Sequence, residues 1–233
     1  MSKLFEALQN AQAEIKPTSD PLPLQVPDLS DDAILDSIDA DQLPVFTNYD
    51  IDEMVEYLLA SYESSPGETF GILPVGPSDS AAAIVLETFM YLAVNCEVPA
   101  SLCDLASNRP MLNYLRAAHA FDNGQTIPRG KTLVKLSVLN KLFDYVLVSR
   151  DPAKGSASRR QLAVDLLKFT RSSELSMFLF PSIASFNPFC VQMARRVDKL
   201  ILLGGENQSE AVARTGDFLH NLGVNAHGVY LLN

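Results

Sequence analysis

The stretch Phe70-Gly-Ile-Leu-Pro-Val-Gly-Pro-Ser-Asp-Ser-Ala-Ala-Ala83 decides the fold of this chain. Its first part, Phe70–Val75, is a short apolar run with the length of a buried strand. The next residues, Gly76-Pro-Ser-Asp-Ser80, are types that form tight turns and that cap the start of a helix. The stretch therefore predicts a strand that turns directly into a helix.

The residues that follow complete a strand–helix–strand unit. Ala81–Val94 is mostly apolar and long enough for a buried helix, and a second apolar run, Ala100–Cys103, ends at Asp104. In such a unit an anion binds at the turn before the helix, where backbone N–H groups are unpaired. The candidate cofactor-binding residues of this region are Gly76, Ser78, Asp79, Ser80 and Asp104.

The turn lacks the side chains with which a phosphate-binding loop holds a nucleotide. The motif of such a loop, G-x-x-x-x-G-K-[ST], supplies a lysine for the β- and γ-phosphates and a hydroxyl for Mg²⁺. Ala81 and Ala82 stand where these two residues are needed. The helix dipole alone contributes only about 0.3–1 kcal/mol to anion binding. The turn is therefore either an ordinary α/β connection or a phosphate site that has lost its chemistry.

Composition and charge narrow the classes of protein that the chain can belong to. It has 233 residues, 47% apolar and 20% charged, as in soluble globular proteins. Its net charge of −10 argues against nucleic acid and anionic lipid as partners. With no apolar run long enough to cross a bilayer and no secretory signal, we expect a cytoplasmic protein without direct membrane insertion. Cys96, Cys103 and Cys190 have neither metal-binding nor disulfide spacing and are interpreted as buried thiols.

Three segments of the chain differ in composition. Residues 1–15 predict an amphipathic helix, with apolar residues at helical spacing: Leu4, Leu8, Ala11 and Ile15. Residues 16–50 are rich in Pro and Asp and predict a linker. Residues 51–233 predict an α/β domain. A helix as short as the first is marginal alone, so it packs either on another protein or on the chain's own domain.

Short apolar runs alternate with helical patterns throughout residues 51–233. Besides the unit above, we expect strands at Phe143–Ser149, Leu175–Phe180, Leu200–Leu203 and Gly228–Leu232, the third of them broken by Gly204-Gly205. We expect helices at Ile51–Tyr62, Ser158–Thr170, Phe189–Arg196 and Ser209–Leu222, the last closed by Gly223, and a turn leading into a helix at Asn108–Leu115. This alternation predicts a mostly parallel sheet flanked by helices in three layers, with the N-terminal helix on a tether.

Several segments resemble the bacterial tyrosine-kinase branch of the deviant P-loop ATPases, relatives of MinD and ParA. The opening Met1-Ser-Lys-Leu-Phe-Glu-Ala-Leu8 looks like the start of several of these kinases. Pro77–Ala83 is similar to their Pro-Gly-Glu-Gly-Lys-Ser/Thr-Thr loop, and Leu102–Pro110 to their Asp-x-Asp motif followed by Arg-Arg-Pro. The closing segment Gly223–Asn233 is also similar, and Asn233 matches a residue near the nucleotide base. The resemblance implies a P-loop NTPase-like fold.

The chain departs from that family at the residues that carry the chemistry. Ala81 replaces the loop lysine, and Ala106 replaces the second Asp of the motif that begins at Asp104. The third acidic motif of the family has two placements, which put either Ser149 or Phe180 where the carboxylate belongs, and the spacing back from Val197-Asp198 fits Phe180 better. We therefore expect no catalytic residue, no metal site and no bound cofactor.

The resemblance, with these departures, implies a non-catalytic, pseudokinase-like regulator or scaffold in exopolysaccharide synthesis or export. Its partner would be a membrane polysaccharide co-polymerase or another export-complex protein, which would hold it at the inner membrane. A homo-oligomer is possible, although the helix with which the family assembles here has Glu53 and Glu56 and no Arg. The alternatives are an unorthodox ATPase or tyrosine kinase that uses ATP, Mg²⁺ and Asp104, or a MinD/ParA-like localisation factor.

Overall fold

The structure, a computed structural model, describes residues 51–76, 78–95, 98–106, 108–118, 120–122, 132–139, 141–148, 156–171 and 173–232. The predicted N-terminal helix and linker, residues 1–50, lie outside these ranges. So do four residues that the sequence analysis named: Pro77, Cys96, Ser149 and Asn233.

Helices and strands follow the expected order from residue 51 onward. The α-helices of the described residues are α1 (Asp52–Ser64), α2 (Ser78–Asn95), α3 (Pro110–Ala117), α4 (Ser156–Thr170), α5 (Pro188–Ala194) and α6 (Ser209–Asn221). The strands are β1 (Thr69–Pro74), β2 (Ala100–Asp104), β3 (Leu133–Val138), β4 (Phe143–Val148), β5 (Leu175–Leu179), β6 (Lys199–Gly205) and β7 (Gly228–Leu232). Short 3₁₀ turns occur at Ile183–Ser185 and Glu206–Gln208.

The seven strands form one sheet in the order β3-β4-β2-β5-β1-β6-β7. All neighbouring pairs are parallel except β3 and β4, which form an antiparallel hairpin. The mostly parallel sheet expected from the sequence is therefore confirmed. Strand β3, however, was not expected. The hairpin turn places Leu139 and Lys141 at positive φ, of 50° and 67°, and neither residue type signals such a turn.

Strand β1 lies inside the sheet and is fully enclosed. All six of its residues are buried, and it pairs with β5 on one side and β6 on the other. Ile72, for example, lies opposite Leu179 of β5 and Ile201 of β6. Strands covered on both faces read as continuous apolar runs, which explains why the Phe70–Val75 run could be recognised in the sequence.

Helices cover both faces of the sheet and create two apolar cores. One core lies under α1, α2 and α3 and includes Leu58, Ile84, Phe89, Met111 and Leu115. The other lies under α4, α5 and α6 and includes Leu166, Cys190, Met193, Val212 and Leu219. The residues of β1 alternate between the two cores, with Ile72 in the first and Leu73 in the second. The expected three-layer arrangement is thus confirmed.

Two element boundaries differ from those expected. Helix α2 begins at Ser78, so residues expected in the turn form the first turn of the helix. Strand β6 continues through Gly204 and Gly205, which were expected to break it. A Cβ on Gly204 would lie 2.7 Å from Val212 Cγ2, so the glycine allows α6 to approach the strand closely. Gly223, at a φ of 66°, follows α6 as expected.

Candidate functional site

The turn after β1 lies beside the end of β6. The Val75 N–H donates to the Leu203 carbonyl at 2.8 Å, which extends the β1–β6 pairing by one residue. Gly76 follows, and the side chain of Gln208 lies directly against it. A Cβ at position 76 would be 3.1 Å from Gln208 Nε2, so a larger residue there would require Gln208 to move.

Gln208 connects this turn to the end of β6. Its Oε1 accepts a hydrogen bond from the Gly205 N–H at 3.0 Å, while its amide nitrogen faces Gly76. The side chain is only half-buried. Gln208 therefore fixes the two strand ends relative to each other, although its position in the sequence gave no reason to select it.

The start of α2 is built from small residues. Ser78, Asp79 and Ser80 form its first turn, and Ala81, Ala82 and Ala83 come next. These alanines are 3%, 0% and 5% exposed and belong to the core under α1, α2 and α3. Ala81, which the sequence resemblance aligns with the lysine of a phosphate-binding loop, is therefore a small side chain packed in the core.

Asp104, at the end of β2, is engaged by the backbone that follows it. Its Oδ1 accepts a hydrogen bond from the Ala106 N–H and its Oδ2 from the Met111 N–H, both at 3.0 Å. Met111 is the second residue of α3, so the carboxylate satisfies a free N–H at the start of that helix. Asp104 is therefore a buried carboxylate whose two backbone donors belong to the segment after β2 and not to the turn after β1.

Arg109 secures the same segment from the other side. It has a left-handed backbone, with φ of 47°, immediately before Pro110, the first residue of α3. Its guanidinium Nη2 donates to the Val148 carbonyl at 2.6 Å, at the end of β4. The Arg-Pro pair on which the family resemblance partly rests therefore ties the start of α3 to β4.

Burial raises the pKa of the Asp104 carboxyl to about 7, because its charged form has lost the stabilisation provided by water. The Met111 and Ala106 N–H groups and the nearby Arg109 guanidinium favour the charged form and limit this rise. The carboxyl therefore titrates close to neutral pH.

Geometry favours Phe180 over Ser149 as the place of the third carboxylate. Phe180 follows β5, the neighbour of β1, and its N–H donates to the Ile72 carbonyl at 2.8 Å. Ser149 follows β4, which β2 and β5 separate from β1. Phe180 is fully buried, and its ring lies against Gly71, where an added Cβ would be 2.7 Å from its Cε2. The residue after β5 is therefore an aromatic side chain whose ring packs on the first half of β1.

The candidate residues do not converge on one point. Strand β5 separates β2 from β1, so Asp104 ends a strand about 10 Å from the one that leads to Gly76. Within the described ranges, no group of three or more His, Cys, Asp and Glu side chains could hold a metal ion. None of the helices described is long and apolar enough to cross a membrane.

The two described cysteines are buried, as expected. Burial raises the pKa of the Cys103 thiol well above its usual value, and that of Cys190 to about 11. Thiols with such pKa values stay protonated at neutral pH and are poor nucleophiles. Both cysteines therefore act as small apolar side chains in the core.

No family model matches the chain, and no curated protein does. Solved structures do match. The kinase domain of Escherichia coli tyrosine kinase ETK has a TM-score of 0.51 at 18% identity, over 77% of this chain and 74% of that one. The VpsO kinase domain has a TM-score of 0.50 at 16% identity, over 78% and 91%. The chimerical protein CapA2B2 has a TM-score of 0.50 at 11% identity, over 79% and 85%.

These matches show the fold. The chain has the three-layer α/β fold of bacterial tyrosine-kinase domains, as the sequence resemblance implied. Within that fold, this chain has buried Ala81 in the first turns of α2 and buried Phe180 after β5, and its Asp104 is bound by its own backbone.

Proposed function

We propose that the protein is a non-catalytic, pseudokinase-like regulator or scaffold in exopolysaccharide synthesis or export. Its partner is a membrane polysaccharide co-polymerase or another export-complex protein, and this contact holds it at the inner membrane. It works without a nucleotide. A second proposed contact is with another copy of the chain, through the tyrosine-kinase-like domain.

The observation that carries this proposal is that buried apolar residues stand at two positions where the sequence resemblance expects charged side chains. Phosphoryl transfer depends on positioning and on neutralisation of phosphate charge by lysine and Mg²⁺. Ala81 offers a buried methyl group, and Phe180 a buried ring. The remaining carboxylate, Asp104, already accepts two backbone hydrogen bonds. These features support a fold that is retained for binding to another protein.

The first test is calorimetric titration of the purified protein with Mg·ATP and Mg·ADP up to millimolar concentration. We expect no heat of binding, because the turn after β1 supplies no cationic side chain for the phosphates. The ETK kinase domain, titrated under the same conditions, is the positive control.

Micromolar nucleotide binding would contradict the proposal and favour the alternative, an unorthodox ATPase or tyrosine kinase. Hydrolysis assays on the wild type and on Asp104→Ala would then decide between binding and catalysis. With no binding, the partner is tested by co-purification with the co-polymerase of the source organism. If the protein does not co-purify and deletion of its gene leaves the polymer unchanged, a localisation factor is favoured instead.

A further inference from the structure

Charge is distributed very unevenly along this chain. Residues 17–108 contain 17 Asp and Glu and no Lys or Arg, whereas residues 109–233 contain 16 Lys and Arg and nine Asp and Glu. The net charges are therefore −17 and +7, and the neutral residues 1–16 complete the total of −10. Eight of the acidic residues, all Asp, lie in residues 17–50, ahead of the folded region. The acidic segment and the basic region belong to the same molecule.

Three cations line the exposed side of α4. Arg160 and Lys168 lie on the helix and Arg171 directly follows it, and all three side chains are exposed. Their spacing along the helix puts them on one side, over a length of about 16 Å. Within the described part of the chain, none of the three makes a side-chain hydrogen bond or ion pair. The half-buried Val164 lies on the same side of the helix.

The charged side chains next to these cations make contacts of their own. Asp165, the acidic residue of α4, accepts a hydrogen bond from Gln161 Nε2 at 2.7 Å. Lys135 forms a 3.2 Å ion pair with Asp144, and its Nζ lies 5.5 Å from the ring centroid of Phe169 on α4. The three cations of α4 therefore form a separate basic surface, which we call the α4 basic side.

We propose that residues 28–41 of the same chain dock on the α4 basic side. This segment contains six Asp and no cation, and it also contains three apolar residues that can contact Val164: Ile34, Leu35 and Ile38. Attachment to the same chain gives the segment an effective concentration of about 1 mM, which favours it over a separate acidic partner. Three of the Asp residues repeat the sequence spacing of the cations: Asp28, Asp36 and Asp39.

The connecting chain is long enough for this contact. Ile51 packs on the core under α1, α2 and α3, whereas α4 covers the opposite face of the sheet. The ten residues from 42 to 51 span at most about 33 Å when extended. That is roughly twice the radius of gyration, about 16 Å, of a domain formed by residues 51–233. Since the chain has to run around an edge of the sheet, docking requires these ten residues to be nearly fully extended.

The contact is tested with a water-soluble carbodiimide on the full-length protein. This reagent joins a carboxylate and an amine as an amide only when the two groups already touch, and peptide mapping then identifies the pair. At about 10 mM salt we expect roughly tenfold more product between residues 28–41 and Lys168 than between the same segment and Lys141. At 1 M salt, where the Debye length is about 3 Å, the ratio should fall towards one.

Matched variants separate docking from general attraction. Lys168→Arg keeps the charge and removes the amine, so the product should disappear. Arg160→Glu with Arg171→Glu should reduce the Lys168 product about as much as high salt does, whereas Lys141→Glu, equally exposed, should not. On the acidic side, Asp36→Asn with Asp39→Asn should reduce the product, and Asp20→Asn should leave it unchanged.

Three results would overturn the proposal. The first is equal products at Lys168 and Lys141, which would mean that the attraction is not specific. The second is products formed only between isotope-labelled and unlabelled chains, which would assign the surface to a second copy. The third is loss of the product when anionic vesicles are added in excess, which would assign the surface to lipid.

Discussion

The ends of β1 and β2 lie on the same edge of one sheet, but the side chains that follow them differ. After β1 the chain passes Gly76, which faces Gln208, and enters α2 through Ser78, Asp79 and Ser80. The alanines that follow are buried, and the Phe180 ring packs on Gly71 within the strand. At the end of β2 a carboxylate and a guanidinium remain, and both are bound to backbone. The helix after β1 has no cation for a phosphate, whereas the charged groups after β2 hold α3 in place.

This difference shows that a polar residue at a strand end can serve the fold instead of binding a ligand. Asp104 is the residue that sequence reasoning most readily selects as functional. Its carboxylate nevertheless has two backbone donors, which is how a buried polar group is normally satisfied. The end of β1, where a ligand is expected, is followed by Ser78, Asp79 and Ser80, and α2 carries no Lys or Arg that could bind a phosphate. Three substitutions test the comparison, in order of decreasing effect.

The largest effect is expected for Phe180→Asp, which restores a carboxylate after β5. The change removes a buried ring and buries an unpaired charge, so the free energy of unfolding should fall by about 4 kcal/mol or more. Denaturant-induced unfolding of the variant and the wild type measures this loss of free energy. Phe180→Leu is the control and should cost about 1–2 kcal/mol. An unchanged stability in Phe180→Asp would mean that the position still accommodates a charge, and the contrast between the two strand ends would fail.

An intermediate effect is expected for Gly71→Ala in β1. The new methyl would lie 2.7 Å from Phe180 Cε2 and 2.9 Å from Leu200 Cδ1, so overpacking should cost about 1–3 kcal/mol. Gly216→Ala is the matched control. It lies in α6 with nothing within 4 Å of the added Cβ and should stabilise by about 0.5–1 kcal/mol.

The double variant Gly71→Ala/Phe180→Leu sharpens this test, because it removes the ring that the methyl would meet. Its cost should be less than the sum of the two single changes. Simple additivity would show that Phe180 does not pack on Gly71 in solution.

At neutral pH the smallest effect is expected for Asp104→Asn, and the size of this effect changes with pH. The folded-state pKa of Asp104, about 7, lies above the unfolded value of about 3.9, so the folded protein binds the extra proton between these values. The contribution of Asp104 to stability is therefore greatest below pH 4 and is lost as the pH rises towards 7. The stability difference, wild type minus Asp104→Asn, should fall by up to about 1.4 kcal/mol per pH unit in this window.

Denaturant unfolding of both proteins at several pH values measures this slope. If the backbone donors outweighed burial, the folded pKa would be depressed and the difference would rise with pH instead. That result would make the end of β2 a site that strongly prefers a charge, as a metal or phosphate site does.

The fold could be predicted wherever one local pattern decided it. Buried strands such as β1 and β5 are continuous apolar runs, and Gly223 marks the end of α6. Strand β3 was not predicted, because the turn residues Leu139 and Lys141 are not types that indicate a hairpin. Its sequence does alternate, since the apolar Val134, Leu136 and Val138 are separated by the polar Lys135 and Ser137. This period of two is typical of an edge strand and could have revealed it.

The candidate site was less predictable because it depends on strand order. Spacing along the chain already favoured Phe180 over Ser149, and the position of β5 next to β1 agrees with that preference. Gln208 could not be selected at all, since its contact with Gly76 joins residues 132 positions apart. The burial of Asp104 followed from its place at the end of an apolar strand, whereas its partners depend on how α3 begins.

The central position of β1 also has a consequence for synthesis of the chain. Its neighbours β5 and β6 begin 106 and 130 residues after β1 begins. At a synthesis rate of about 5–20 residues per second, β6 follows β1 only after roughly 7–26 s. The most enclosed strand of the fold is therefore among the first to leave the ribosome, and it waits longest for both neighbours. During that interval its apolar residues need protection by chaperones or by local collapse.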